Sequence, residues 1–442
     1  MLWRAAGRRY RVLAIRDFRL LLADRLLAPF SVGFSLVGVS FAVLKVTGST
    51  ADLSYVLAAQ AAPMLVFSLL GGVFADRFRP QLVIIAANIS VIVGEGVFGL
   101  LMLTMGHPPL WAMVSLEAVT GIGGALFYPA SQALVPQLVP EALLQEGSSI
   151  SRLVMNIGQM IGAAAAGVVV AVAGPGLALT LCAIGMTGTI PLMLAVKGGR
   201  GAARRPADEA PSMLSELREG WAEFRQHTWL WATVIQFCLV MMAFNGAVLV
   251  LGPVVARAHL GGPAAWGAIS ASDALGLIAG GLVSLRYIPR RPMLFVVLTG
   301  GCIALSPLAL ALVLPLPVIC LCAFIVGLLC EVMMVQWTVQ MATRIPSDKL
   351  ARVSSYDAMG SLAAMPAGAL AAGPLAATIG VSATQFAAAA VIVVTSALTL
   401  IPRDIRTIRT GDAVRGDITD ALVLDEALSP VIASAQAGAD LG

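Results

Sequence analysis

Apolar runs of roughly 20 residues, long enough to cross a bilayer as a helix, recur along the chain at 20–44, 53–75, 82–105, 110–135, 150–173 and 177–196. After a polar interval they resume at 229–252, 264–285, 293–314, 317–342, 355–378 and 382–401. Each run is hydrophobic around its whole circumference, as a helix enclosed by lipid or by other apolar helices must be. The pattern predicts an all-α membrane protein with one helix for each run, twelve in all.

The connectors alternate in charge. Those near 45–52, 106–109, 174–176, 253–263, 315–317 and 379–381 contain only Lys45 and Arg257 as cations. The N-terminus, the connectors near 76–81, 136–149, 197–228, 286–292 and 343–354, and the tail hold 25 of the 28 Lys and Arg residues, counting span-edge residues such as Arg19 and Arg152. Arg25 lies within the first span. Cations mark the cytoplasmic side of a membrane protein, so both termini are expected inside, in a cell (plasma) membrane. The cationic start from Trp3 to Arg19 precedes a run too long for a signal peptide, and it reads as an uncleaved first helix. Trp111 and Trp266 at one set of helix ends, with Trp229 and Trp231 at the other, are expected to sit at the membrane interfaces.

The expected division is a six-helix half over 1–196, a cytoplasmic linker over 197–228, a second six-helix half over 229–402 and a flexible tail over 403–442. Within the linker, Met213, Leu214, Leu217, Trp221 and Phe224 recur at helical spacing, predicting an amphipathic helix on the membrane surface. The tail is polar and acid-rich without periodicity.

Composition sharpens the picture. Hydrophobic residues make up 59% of the 442 and charged residues only 12%, about half the charge of an ordinary soluble domain. A single soluble core could not bury that much apolar surface. The lipid bilayer is therefore the expected solvent. The net charge of +4 arises from sidedness, and no basic patch with interleaved aromatics points to nucleic acid. Six cysteines all lie in apolar runs without a CxxC, and three histidines form no cluster with them. No disulfide framework, metal site or cofactor is expected. A phosphate-binding GxxxxGK loop is absent, as is a soluble loop with clustered His, Asp or Ser. These features argue against an ATP-driven protein and against a membrane enzyme.

The two halves repeat. Gly71, Gly72, Arg77 and Pro80 match Gly280, Gly281, Arg286 and Pro289 at an offset of 209. PEALLQEGSS from Pro140 matches PSDKLARVSS from Pro346 at an offset of 206, which places Gly162 and Gly167 opposite Gly368 and Gly373. Two six-helix halves in the same orientation form a parallel repeat, with substrate sites between them. Gly158, Gly162 and Ala166 share a face of the fifth span, and Ala364, Gly368 and Ala372 the matching face of the eleventh. Such small-residue ridges let helices approach closely in lipid. Their equivalence predicts that Gly158, Gly162, Gly368 and Gly373 pack one half on the other.

These features resemble the major facilitator superfamily across roughly residues 14–402. The strongest motif is that superfamily's G-x-x-x-D-R-x-x-R/K between the second and third spans, present here as Gly72, Asp76 and Arg77 with an altered end at Arg79, Pro80 and Gln81. FYPASQALVPQLVP, LSELREGWAEF and WTVQMATRIPSDKLARVSS resemble the drug and secondary-metabolite exporter branch, which includes siderophore and macrolide exporters. Two positions depart from the family pattern. Glu117 stands where the fourth-span R-x-x-x-G motif has its arginine, and Ala163 replaces the proline of the antiporter G-x-x-x-G-P motif. The resemblance implies a monomeric secondary transporter, not an enzyme. It would export an amphipathic small molecule by alternating access in exchange for protons, and uptake of a nutrient is the alternative. Gly72, Asp76 and Arg77 would form a cytoplasmic gate.

Ionisable groups inside lipid are costly and point to function. They are Asp24 and Arg25 in the first span, Glu95 in the third, Glu117 in the fourth, Asp273 in the eighth and Glu331 in the tenth. The resemblance puts the first, fourth, seventh and tenth helices on a central cavity. Glu117 and Glu331 are then candidate proton or substrate sites, against the alternatives of a carboxylate held protonated by burial or one neutralised by Arg25. Asp24, Arg25, Asp273 and Asn245 of the seventh span are further candidates. Glu95 falls on a peripheral helix, which favours a structural role.

Overall fold

The computed structural model describes residues 12–77, 79–140, 143–197, 221–345, 347–362 and 364–409, with the side chains of 64–77 and a few others outside the description. The amino-terminal half comprises α1 (Arg16–Thr47), α2 (Thr50–Arg77), α3 (Pro80–Thr104), α4 (Leu110–Leu138), α5 (Leu144–Ala173) and α6 (Pro175–Thr187, continued by Thr189–Ala195). The carboxy-terminal half begins with α7, which runs through Thr228–Phe244, Asn245–Val250, Leu251–Val255 and Ala256–Leu260. It continues with α8 (Pro263–Ser284), α9 (Pro292–Cys302 and Leu305–Ala311), α10 (Leu316–Arg344), α11 (Ser347–Leu362 and Met365–Ile379) and α12 (Val381–Thr399). Eleven of these are apolar and long enough to cross a membrane. The 28-residue α2 completes the twelve.

Punctuation explains the boundaries. Proline opens α3, α6, α8 and the first segment of α9 within the first helical turn, where its missing N–H costs nothing. Gly48 ends α1 in the left-handed conformation at φ 66°.

The seventh helix departs from expectation. The sequence assigns 253–263 to a connector, yet α7 continues to Leu260 and stops only at Gly261 and Gly262, whose φ values are 94° and 85°. Two wide turns with i→i+5 hydrogen bonding, at Asn245–Val250 and Ala256–Leu260, carry it past Pro253. That proline supplies no N–H to the Leu249 carbonyl and crowds it, and the wide turn beforehand absorbs the clash. The interfacial tryptophans also need correction. Trp111 is exposed, but Trp266 is 2% and Trp229 5% exposed. Trp266 is buried because Gly252 leaves room for its indole, which lies where a Cβ at that position would stand.

Four apolar clusters divide by height in the bundle. At the cation-poor ends, Phe41, Val170 and Ala178 of one half join Val255, Trp266 and Ile269 of the other in a single cluster. A second cluster there joins Leu53 and Val56 to Leu251 and Ala369. At the cation-rich ends each half keeps its own core: Phe18, Ile84, Leu134 and Met193 in one, Trp229, Val296, Trp337 and Ile345 in the other. Among the described side chains, the halves thus share apolar clusters at one end, and at the other the clusters stay within each half.

Candidate functional site

The small-residue ridges form contacts different from those the sequence predicts. A methyl group at Gly158 would strike the Leu26 carbonyl, and one at Gly162 the Phe30 carbonyl, both on α1. Gly368 lies equally close to the Met242 carbonyl of α7. Gly158, Gly162 and Gly368 therefore pack helices within a half. The physical reason is angular: residues four apart share one face of a helix, and that face meets the half's own first helix. Five residues on, the face has turned. A Cβ on Gly167 would lie 2.9 Å from the Pro263 carbonyl and 3.0 Å from the Gly267 Cα, both on α8 of the opposite half. One on Gly373 would lie 2.6 Å from the Ala51 Cα and 2.9 Å from the Thr50 carbonyl on α2. Only Gly373 of the four predicted positions crosses the halves. Gly167 and Gly373, equivalents in the repeat, form the two seams at the cation-poor end.

The intramembrane ionisable groups fall into three settings. Arg25 is clamped between α4 and α5, its Nη2 donating to the Ser131 carbonyl at 2.6 Å and its Nη1 to Met155 Sδ at 3.2 Å. Neighbouring Asp24 is fully buried, and neither of its carboxylate oxygens has a hydrogen-bond partner. Across the halves, Arg152 of α5 donates from Nη1 to Glu331 Oε1 of α10 at 3.3 Å. Asp273 is half-buried on α8 beside Gly327 of α10. Asn245 is buried at the start of the first wide turn of α7.

The third setting lies wholly inside the amino-terminal half. Glu117 accepts a hydrogen bond at Oε2 from Gln60 Nε2 of α2 at 2.8 Å. Glu95 accepts at Oε1 from the Ser35 hydroxyl of α1. Both acids are fully buried, on helices that pack closely where Gly94 meets Leu116 and Thr120. Two glycines allow the approach. A Cβ on Gly94 would lie 2.8 Å from the Leu116 carbonyl and strike Thr120 Oγ1, and one on Gly121 would strike the Gln60 carbonyl. The peripheral assignment of Glu95 misses this setting. A glycine directly before Glu95, and another four residues after Glu117, are the sequence signals that could have found it.

The surroundings of Gly72 and the side chains of Asp76 and Arg77 lie outside the description, as do residues 198–220, which hold most of the linker, and the tail from 410. Where description resumes, residues 221–226 are helical, and Trp221 packs on Tyr356 of α11 with ring centroids 5.6 Å apart. Glu223 accepts from Lys349 Nζ at 2.9 Å and pairs with His227 Nε2 at 3.2 Å. The Lys349 ammonium foremost, then His227, hold the Glu223 carboxyl below its ordinary range. Between α5 and α8 a groove of about 560 Å³ is lined by Met160, Ile161, Ala164, Val168, Ser272 and Leu275, an apolar surface beside the Gly167 seam.

Twelve apolar helices in two repeated halves, joined at one end and carrying buried ionisable groups, define a multi-pass membrane transporter. Residues 26–355 match the family model described as Major Facilitator Superfamily. The chain belongs to that superfamily. It is 27% identical over 395 residues to the multidrug efflux pump Tap of Mycobacterium tuberculosis, covering 85% of this chain and 91% of that protein. It is 25% identical over 251 residues to macrolide efflux protein A of Streptococcus pyogenes, covering 56% of this chain and 60% of that one. Among solved structures, the nucleoside transporter NupG superposes with a TM-score of 0.68 at 12% identity, covering 89% of this chain and 100% of that chain. A POT family transporter in complex with 5-aminolevulinic acid superposes at 0.69 and 15% identity, covering 87% of this chain and 96% of that chain. At such identities the likeness to solved structures shows the fold alone.

Proposed function

We propose that the chain exports an amphipathic small molecule across the plasma membrane by alternating access, in exchange for protons. One observation carries this reading: among the described side chains, apolar clusters join the halves at the cation-poor end, while at the cation-rich end each cluster belongs to one half. With the cation-rich end and both termini in the cytoplasm, this arrangement is sealed outside and receives substrate from within. The seams at Gly167 and Gly373 bring the helices of the two halves into close approach, beside the apolar clusters that must part with them. Residues 1–196 and 229–402 then rock as two units about a midplane site, tied by the linker 197–228. Export as the direction draws its support from the efflux proteins the chain is similar to. Buried carboxyl groups in a membrane are the groups suited to carrying protons.

Accumulation of a lipophilic cationic dye such as ethidium in cells tests the reading. Expression is expected to lower accumulation, and a protonophore to restore it. Higher accumulation on expression would reverse the direction of transport. A lowered accumulation that a protonophore leaves unchanged would exclude the proton gradient as its source.

A further inference from the structure

We infer that Glu95 and Glu117 hold one exchangeable proton between them, as a carboxyl–carboxylate pair inside the amino-terminal half, and that this pair is the proton site of the antiport. The inference rests on the exporter reading for its role, though not for the existence of the pair.

The geometry leaves an unmet demand that one proton meets. Ser35 supplies a donor to Glu95 Oε1 and Gln60 one to Glu117 Oε2. Glu95 Oε2 and Glu117 Oε1 remain without partners, in side chains that are 0% exposed. Thr120 Oγ1, in a residue 7% exposed, is unpartnered as well. It stands one turn from Glu117, on the Gly94 side that leads to Glu95. Around the pair, α1 contributes Ser35, α2 contributes Gln60 and α6 contributes the buried Cys182 thiol beside the Ser35 backbone. Among the described residues no lysine, arginine or histidine forms an ion pair with either acid. Two carboxylates in one water-poor site repel strongly when both are ionised. A single proton makes one acid a donor and leaves the other an acceptor.

The exchange balances simply. A hydronium ion gives up a proton and becomes water, an O–H bond forms on one glutamate, and the charge of the pair falls from two negatives to one. Release breaks that bond and regenerates hydronium on the other side. Glu331 suits the task less well, because Arg152 already neutralises it.

The pair also has a link to the moving parts. Gln60 is half-buried on α2, six residues from Ser54, which meets Gly373 of the opposite half. That spacing is about 9 Å along a helix. Parting of the α2–α11 seam therefore moves the residue that holds Glu117, which ties exposure of the pair to the state of the halves.

The test uses the full chain in lipid nanodiscs and in cells. Infrared difference spectra across a pH series read protonated carboxyl groups whether or not transport occurs. In the wild type a carboxyl band is expected to titrate, and Glu95→Gln and Glu117→Gln should each displace or remove it. Each variant should lower protonophore-sensitive dye efflux by about tenfold or more, and the double variant should be no worse than either, as for residues that act as one unit. Glu331→Gln should leave the band in place. If Glu95→Gln leaves both band and efflux unchanged, Glu117 acts alone and the pair is refuted. If replacing sodium with an organic cation moves the wild-type band, the site binds a metal cation and the proton assignment is overturned. If the band behaves as a pair while no protonophore-sensitive efflux exists, the pair stands and the antiport reading falls.

Discussion

Arg152 and Glu331 lie on different halves of the protein, on the fifth and tenth helices, and their side chains meet at 3.3 Å. Arg152 is about half exposed along its side chain, whereas Glu331 is 10% exposed. An ion pair open to water at one end contributes little, about 0.2–1 kcal/mol. That is still enough to tilt a two-state equilibrium severalfold.

The pair therefore acts as a weak latch between the halves. Glu331→Gln should shift the inward–outward population by up to about fivefold, as measured by the distance distribution between spin labels placed on the two halves. Charge reversal at both positions, Arg152→Glu with Glu331→Arg, should restore the wild-type distribution. A distribution unmoved by the single variant would remove the pair from the account.

The glycine seams give a sharper prediction. Gly167→Leu places a branched side chain against Pro263 and Gly267 on the facing helix, and overpacking of this kind costs about 1–3 kcal/mol. Because the contact joins the halves, the penalty falls on the state closed at the cation-poor end. The variant should insert and remain folded while transport falls. Labelling of a cysteine placed near Pro263 should rise. Wild-type transport with a normally expressed Gly167→Leu protein would show that the seam stays shut or is irrelevant.

Gly158 and Gly162 should behave differently, although they lie on the same helix. Their faces meet α1 within one half, so the same cost of about 1–3 kcal/mol falls on every conformational state. Gly162→Val should lower the thermal unfolding temperature in detergent without changing the balance between inward and outward populations. A changed balance with unaltered stability would count against the assignment.

These seams show how far the sequence can be read. The pairing of Gly162 with Gly368, and of Gly167 with Gly373, is visible as a repeat at an offset of 206. In the structure each pair has one role, the first within halves and the second between them. Which helix faces a small-residue ridge is not encoded in the ridge, since spacing defines a face and says nothing of its neighbour. The same limit applies to Glu95 and Glu117. Both acids are legible as intramembrane charges, but their shared setting depends on how closely Gly94 and Gly121 let three helices converge. The spans were readable because lipid demands long apolar runs. The continuation of α7 past Pro253 was not, because the wide turns that accommodate the proline have no simple spacing signature.

At the membrane surface, the Glu223–Lys349 pair sets a pH dependence. Lys349 and His227 depress the Glu223 pKa, so the carboxylate contributes to docking of 221–226 on α11 at neutral and mildly acidic pH. The contribution is lost as pH falls through the depressed value, below the ordinary carboxylate range. Fluorescence of Trp221, which stacks on Phe224 and packs at a tilt against Tyr356, should report undocking only in that acid range. Glu223→Gln should remove the acid transition. An unchanged transition in that variant would place its origin elsewhere.

Reconstitution decides the central claim most directly. The purified chain in liposomes, given an imposed pH gradient and no other energy source, should drive ethidium against its own gradient, and a protonophore should collapse that accumulation. Movement of the dye only down its gradient, indifferent to the imposed pH difference, would contradict proton-coupled export.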